Sequence, residues 1–169
     1  MAALVTIPVG VVVDRIKADS QWIDYIWQPT TVLVGEPDAK PWTLLSGDDS
    51  RASFYAGSTS IELYRSDAAN YRDNLLGDSK LWIVLTPAES DPPYALFKVT
   101  ADPTEGEGQT ETGVNLVEAV AMPDAVRAAL EAFVAEHYVE QTFYKRKRDR
   151  ANPEALGRRT QSDRGRDDD

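Results

Sequence analysis

No cysteine and only one histidine occur among the 169 residues. The first absence excludes disulfides, thiolate zinc sites, iron–sulfur ligation and thiol nucleophiles, since each of these needs a sulfur atom on the chain. The second excludes a multi-histidine metal centre and leaves His137 as the one imidazole base. Long hydrophobic runs are missing too: none approaches the roughly 20 apolar residues that a membrane helix needs. Met1 to Gly10 lacks the basic start and small-residue cleavage site of a signal peptide. The expectation is a cytoplasmic protein with no membrane contact, no metal and no cofactor.

What charge there is has an uneven sign. Residues 1–139 carry 9 basic and 21 acidic side chains, a net of −12, whereas residues 140–169 carry 9 and 7, a net of +2. A body of that sign repels nucleic acid and favours a basic partner. The length fits one domain with a sizeable core. We expect that domain over residues 1–150, followed by a disordered, charged tail over 151–169, in which Leu156 is the one large apolar residue.

Hydrophobic patterning predicts strands first. Ile7 to Val13 is β-branched without alternation, as in a central strand covered on both faces. Trp22 to Trp27 and Thr31 to Val34 read as two strand pieces joined at a bulge by Pro29. Arg51 to Tyr64 reads as a hairpin turning at Gly57-Ser58, which would set Phe54 opposite Ile61 and Ala52 opposite Leu63. Ser66 is placed to cap a short helix that carries Ala68, Tyr71 and Leu75 and stops at Gly77. Lys80 to Thr86, Tyr94 to Thr100 and Val114 to Ala121 are further strands. Asp102 to Gly113, glycine-rich and acidic, reads as a mobile loop. From Pro123 onward Val126, Leu130, Phe133, Val134, His137 and Gln141 recur at helical spacing. The fold class expected is α+β: a mainly antiparallel sheet, or partly open barrel, covered by one long C-terminal helix.

Candidate sites are few. His137 falls on the apolar stripe of that helix with no Gly-x-Ser-x-Gly element, which suits packing better than catalysis. Asp48-Asp49 and the group Glu105, Glu107, Glu111 offer oxygen ligands without calcium-loop spacing. Leu45 to Arg51 lacks the Gly-Lys-Ser/Thr ending of a phosphate loop and reads as a turn between strands. Trp22, Trp27, Trp42 and Trp82 lie in expected strands, where aromatic rings fill cores, although Trp22 and Trp27 fall on opposite faces. One cluster competes well with structural explanations: Phe143, Tyr144, Lys145, Arg146, Lys147 and Arg148. Two large aromatics beside a basic run match the composition of a protein-binding surface, so these six residues are the expected partner-binding site.

Several local patterns occur together: Ile7-Pro8-Val9-Gly10-Val11-Val12-Val13-Asp14-Arg15, Trp22-x-Asp24-x-x-Trp27, Tyr71-Arg72-x-Asn74-Leu75 and Phe143-Tyr144-Lys145-Arg146-Lys147-Arg148-Asp149. In these the chain resembles the domain-of-unknown-function family numbered thirty-three hundred and five, over roughly Ile7 to Arg150. The resemblance implies a proteobacterial protein encoded beside formate dehydrogenase and molybdoenzyme maturation genes. It further implies a non-enzymatic accessory or assembly protein for a molybdenum-dependent oxidoreductase, with an oxidoreductase subunit or maturation factor as protein partner. Two alternatives stay open: an enzyme of molybdopterin-guanine dinucleotide synthesis, and a nucleic-acid-binding regulator using the basic helix end. Against the first, the chain has no N-terminal Gly-rich strand-to-helix loop and no alternating βαβ pattern.

Overall fold

The computed structural model describes residues 2–139. Seven strands form two antiparallel sheets, with three helices. In the first sheet β1 (Val5–Lys17), β2 (Tyr25–Val34), β3 (Thr43–Gly47) and β4 (Arg51–Leu63) lie in the order β2-β1-β4-β3. In the second, β5 (Lys80–Pro87), β6 (Tyr94–Thr100) and β7 (Leu116–Ala121) lie in the order β6-β5-β7. β4 approaches β6 and β2 approaches β7, so the sheets meet along two seams.

β1 is central, as its valine run predicts. Val9, Val11 and Val13 point into the shared core with Ile61, Leu63, Leu81, Ile83 and Leu85, while Gly10 on the opposite face is buried beneath the Tyr55 ring. A side chain at Gly10 would collide with that ring, which accounts for a glycine inside a strand. The bulge expected near Pro29 is present, because the β1–β2 register slips between Val12 and Val13, opposite Thr31 and Pro29. The two pieces are thereby one bent strand, and it begins only at Tyr25.

Arg51 to Tyr64 is not a hairpin. β4 runs straight through Gly57 and pairs with β1 along its whole length, with Phe54 opposite Val13 and Ile61 opposite Ile7. Gly57 has a φ of +143° at the point where the register slips past Ala56. A glycine with positive φ inside an alternating segment serves a bulge as readily as a turn, and here the long neighbouring strand selects the bulge.

The helices also depart from expectation. α1 (Ala68–Leu76) is entered through a 3-10 turn, Arg65–Asp67, that contains Ser66, so Asp67 rather than Ser66 stands at its N-cap; Gly77 ends it as predicted. The expected loop after Asp102 is a helix, α2 (Pro103–Glu111). Asp102 caps it by accepting from the Thr104 amide at 2.9 Å, Pro103 occupies the first turn, and Gly106 lies flush on the Trp82 ring. α3 (Asp124–His137) has 14 residues and is not one long covering helix. Val126, Leu130 and Phe133 are buried, then Tyr138 turns to extended dihedrals with its ring 4.9 Å beneath the Arg72 guanidinium. Gln141, the boundary at residue 150 and the tail lie outside the described residues.

Candidate interaction surface

At one end of the first sheet, β1 finishes with Arg15 and Lys17, and the antiparallel register sets Trp27 opposite Arg15 and Tyr25 opposite Lys17. Residues opposite one another share a face, so Arg15 continues the inward row of Val9, Val11 and Val13. Beside it stands Phe54, opposite Val13 on β4. Trp42 completes the group. Its centroid lies 5.8 Å from Trp27 and 6.4 Å from Phe54, and Trp27 to Phe54 is 6.0 Å. These spacings fall in the range for tilted and edge-to-face ring pairs. Trp42 holds a φ of +66°, a strained value for a bulky residue, and its amide donates to the Tyr55 carbonyl.

The Arg15 guanidinium stacks 4.4 Å from the Tyr25 centroid and 5.2 Å from Phe54, while its Nε is shielded from solvent without an acceptor among the described residues. Cation–π attraction of about 0.5–2 kcal/mol holds such a cation against the rings.

The neighbouring turn is tied down separately. Asp49 accepts from Lys17 Nζ at 2.9 Å and from the Tyr25 hydroxyl at 2.6 Å. These two bonds hold its carboxyl below the ordinary range, and in return raise Lys17 and Tyr25. Asp48 accepts from the Ser50 hydroxyl at 2.7 Å and from the Ser50 and Arg51 amides, which likewise lowers it. Asp14, buried on the outer face, accepts from Arg51 at 2.8 Å and Ser53 at 2.7 Å. Asp48 therefore closes the β3–β4 turn, and Asp49 ties that turn to β1 and β2.

On this fixed base sit exposed apolar side chains. In the loop between β1 and β2, Trp22 is 83% and Ile23 53% exposed. On β3, Leu44 is 56% and Leu45 49% exposed, and among the described residues the strand pairs with β4 alone. A surface recess of about 190 Å³ lies under the loop, lined by Lys17, Ala18, Ser20, Ile23, Asp24 and Tyr25. Exposed apolar groups on a preorganised frame suit protein contact, because little ordering entropy remains to be lost on binding.

Other sequence candidates fall elsewhere. His137 packs 4.5 Å from the Phe133 ring, as expected of a packed histidine. Glu105 belongs to α2, where burial would raise its carboxyl but bonds from Lys98 and from Thr100 at 2.7 Å bring it lower. Among the described residues no acidic or histidine group is arranged to hold a metal. Leu45 to Gly47 end β3 and Asp48 to Ser50 turn the chain into β4, so this segment is a strand-to-strand connection and not a phosphate loop. Trp22 lies outside any strand and is not core, and Trp42 sits in a turn. Phe143, Tyr144, Lys145, Arg146, Lys147 and Arg148 lie outside the described residues. Sequence reading missed the Arg15 cluster and the Leu44–Leu45 edge; a five-residue segment without charge or proline, between Trp42 and an Asp-Asp turn, was the available signal.

Fold and surface together define, over the described residues, an antiparallel α+β protein of two sheets and three helices, with exposed apolar side chains at one end of the first sheet. By sequence the chain belongs to the family described as protein of unknown function DUF3305, which matches residues 8–147. No curated protein and no solved structure matches it significantly. Among the patterns that carry the resemblance, Tyr71-Arg72-x-Asn74 is structural in this fold. The Tyr71 hydroxyl accepts from the Tyr64 amide at 3.0 Å, and Asn74 bonds Lys80 through both its carbonyl and amide groups and reaches the Ala101 carbonyl at 2.9 Å.

Proposed function

We propose that this chain is a non-enzymatic accessory protein that holds a protein partner. The observation that carries the reading is the joint exposure of Trp22, Ile23, Leu44 and Leu45 on an end fixed by the Arg15 ring cluster and the Asp49 bonds. Aromatic and aliphatic anchors on a rigid frame are what binding hot spots are made of. The client class comes from the family resemblance alone: a molybdenum-dependent oxidoreductase such as formate dehydrogenase, or one of its maturation factors. The basic aromatic run Phe143 to Arg148 is a second contact expected from sequence.

Affinity isolation of the full chain at native expression tests this. An oxidoreductase or maturation subunit is the expected companion. Its capture should fall when Phe143 and Tyr144 are replaced by alanine, and fall further, with less salt dependence, when Lys145 to Arg148 become glutamate. A magnesium-dependent thermal shift with GTP would favour the nucleotide enzyme instead, and steeply salt-dependent DNA or RNA binding would favour the regulator.

A further inference from the structure

The outer edge of β3 is a row of backbone donors and acceptors with no neighbouring strand among the described residues. Natural proteins usually blunt such an edge with lysine, proline or a covering segment. Thr43-Leu44-Leu45-Ser46-Gly47 has neither residue type, and its five positions are all exposed. Its one protective feature is the slip in register that leaves Leu45 without a partner on β4. Leu44, opposite Phe54, shares the face of the ring cluster, so an added strand would find apolar surface beside its own alternate side chains.

We propose that this edge receives an extended, lysine- or arginine-bearing segment of a partner protein as an additional strand of the first sheet. The inference rests on the accessory-protein reading and supplies its mode of binding. Charge selects the occupant. Glu36 and Asp38 precede the strand and Asp48 and Asp49 follow it; Lys40 lies in the same stretch and Lys17 pairs with Asp49 at 2.9 Å, which leaves these groups acidic on balance. Asp48 and Asp49 are held in their ionised form by hydrogen bonds from Ser50 and from Tyr25 and Lys17. Pairing with a second copy would bring two rims of the same net sign together, and a phosphate backbone would meet the same repulsion. A basic extended segment meets complementary charge at the Asp48-Asp49 turn that ends the edge, while main-chain bonds along β3 give the affinity common to strand addition.

The test uses the full chain and a short fluorescent peptide alternating lysine with valine. Its companions are a glutamate-for-lysine peptide and a backbone N-methylated peptide of the parent sequence. Binding of the parent should be at least about tenfold tighter than of either companion. Leu45→Pro, which blocks the edge without changing charge, should lose a similar factor. Leu44→Lys combined with Leu45→Lys, a second block at exposed positions, should do the same at an unchanged melting temperature. Equal binding of the N-methylated peptide would overturn strand addition in favour of charge alone. Sedimentation of the unliganded chain as a dimer that Leu45→Pro abolishes would assign the edge to a second copy and also overturn it. Client capture that survives both edge variants would overturn strand addition while leaving the accessory role standing. Intact peptide results without any oxidoreductase in the isolate would instead remove the client class and leave strand addition in place.

Discussion

Tyr71 shows how much one side chain can settle. Its ring is buried against Phe133, 5.7 Å centroid to centroid, and its hydroxyl accepts the Tyr64 amide that leads out of β4. Burial pushes its pKa up to about 12, the bond from Tyr64 opposing. The folded protein therefore keeps this proton at a pH where an unfolded tyrosine has lost it. Stability from Tyr71 is fully present below the ordinary tyrosine pKa and is lost as pH rises from there through about 12. Thermal melts from neutral to strongly alkaline pH should fall steeply in that window for the native protein. Tyr71→Phe should lower the melting temperature at neutral pH and flatten the alkaline fall. An equally steep fall in the variant would assign the alkaline loss to other groups.

Among the elements, α2 is the one that composition conceals. Three glycines among acidic residues in Asp102 to Gly113 read as loop, yet Asp102-Pro103-x-Glu105 was a helix start in plain view. Gly106 is a packing residue: a side chain there would overlap the Trp82 ring, so the glycine lets α2 lie directly on β5. Gly106→Ala thus adds a helix-favouring residue and should nonetheless destabilise, by about 1–3 kcal/mol, because the collision outweighs propensity. A lowered urea midpoint at constant slope would be the readout; a raised midpoint would mean that Trp82 yields freely. β4 carries the same lesson. Its alternation on either side of Gly57 was legible, but whether glycine turns or bulges the chain depends on β1, where its partner Val11 lies 46 residues earlier. The unbroken β-branched run exposed the central β1, short apolar runs the strand pair β5 and β6, and helical periodicity the apolar stripe of α3, because those signals are local.

For the whole molecule, sequence placed the strand-rich body ahead of a terminal helix, but not the division into two sheets, which depends on the seams between β4 and β6 and between β2 and β7. The candidate surface was legible only in pieces. Trp22 and Trp27 read as opposite faces of one strand, but Trp22 lies in the loop before it, and the ring cluster needs Arg15, Tyr25, Trp27, Trp42 and Phe54 from four separate segments. Their convergence makes one end of the first sheet rigid, and the exposed Trp22, Ile23, Leu44 and Leu45 project from that end. The central claim is that a protein partner is held there. The most direct measurement places a photo-crosslinking amino acid at Trp22 or Leu45, with Leu76 as control, a position on α1 whose 70% exposure lies between theirs. Irradiation at native expression should yield one discrete adduct from positions 22 and 45 and none from 76. The same adduct from all three positions, or from 76 alone, would contradict the account.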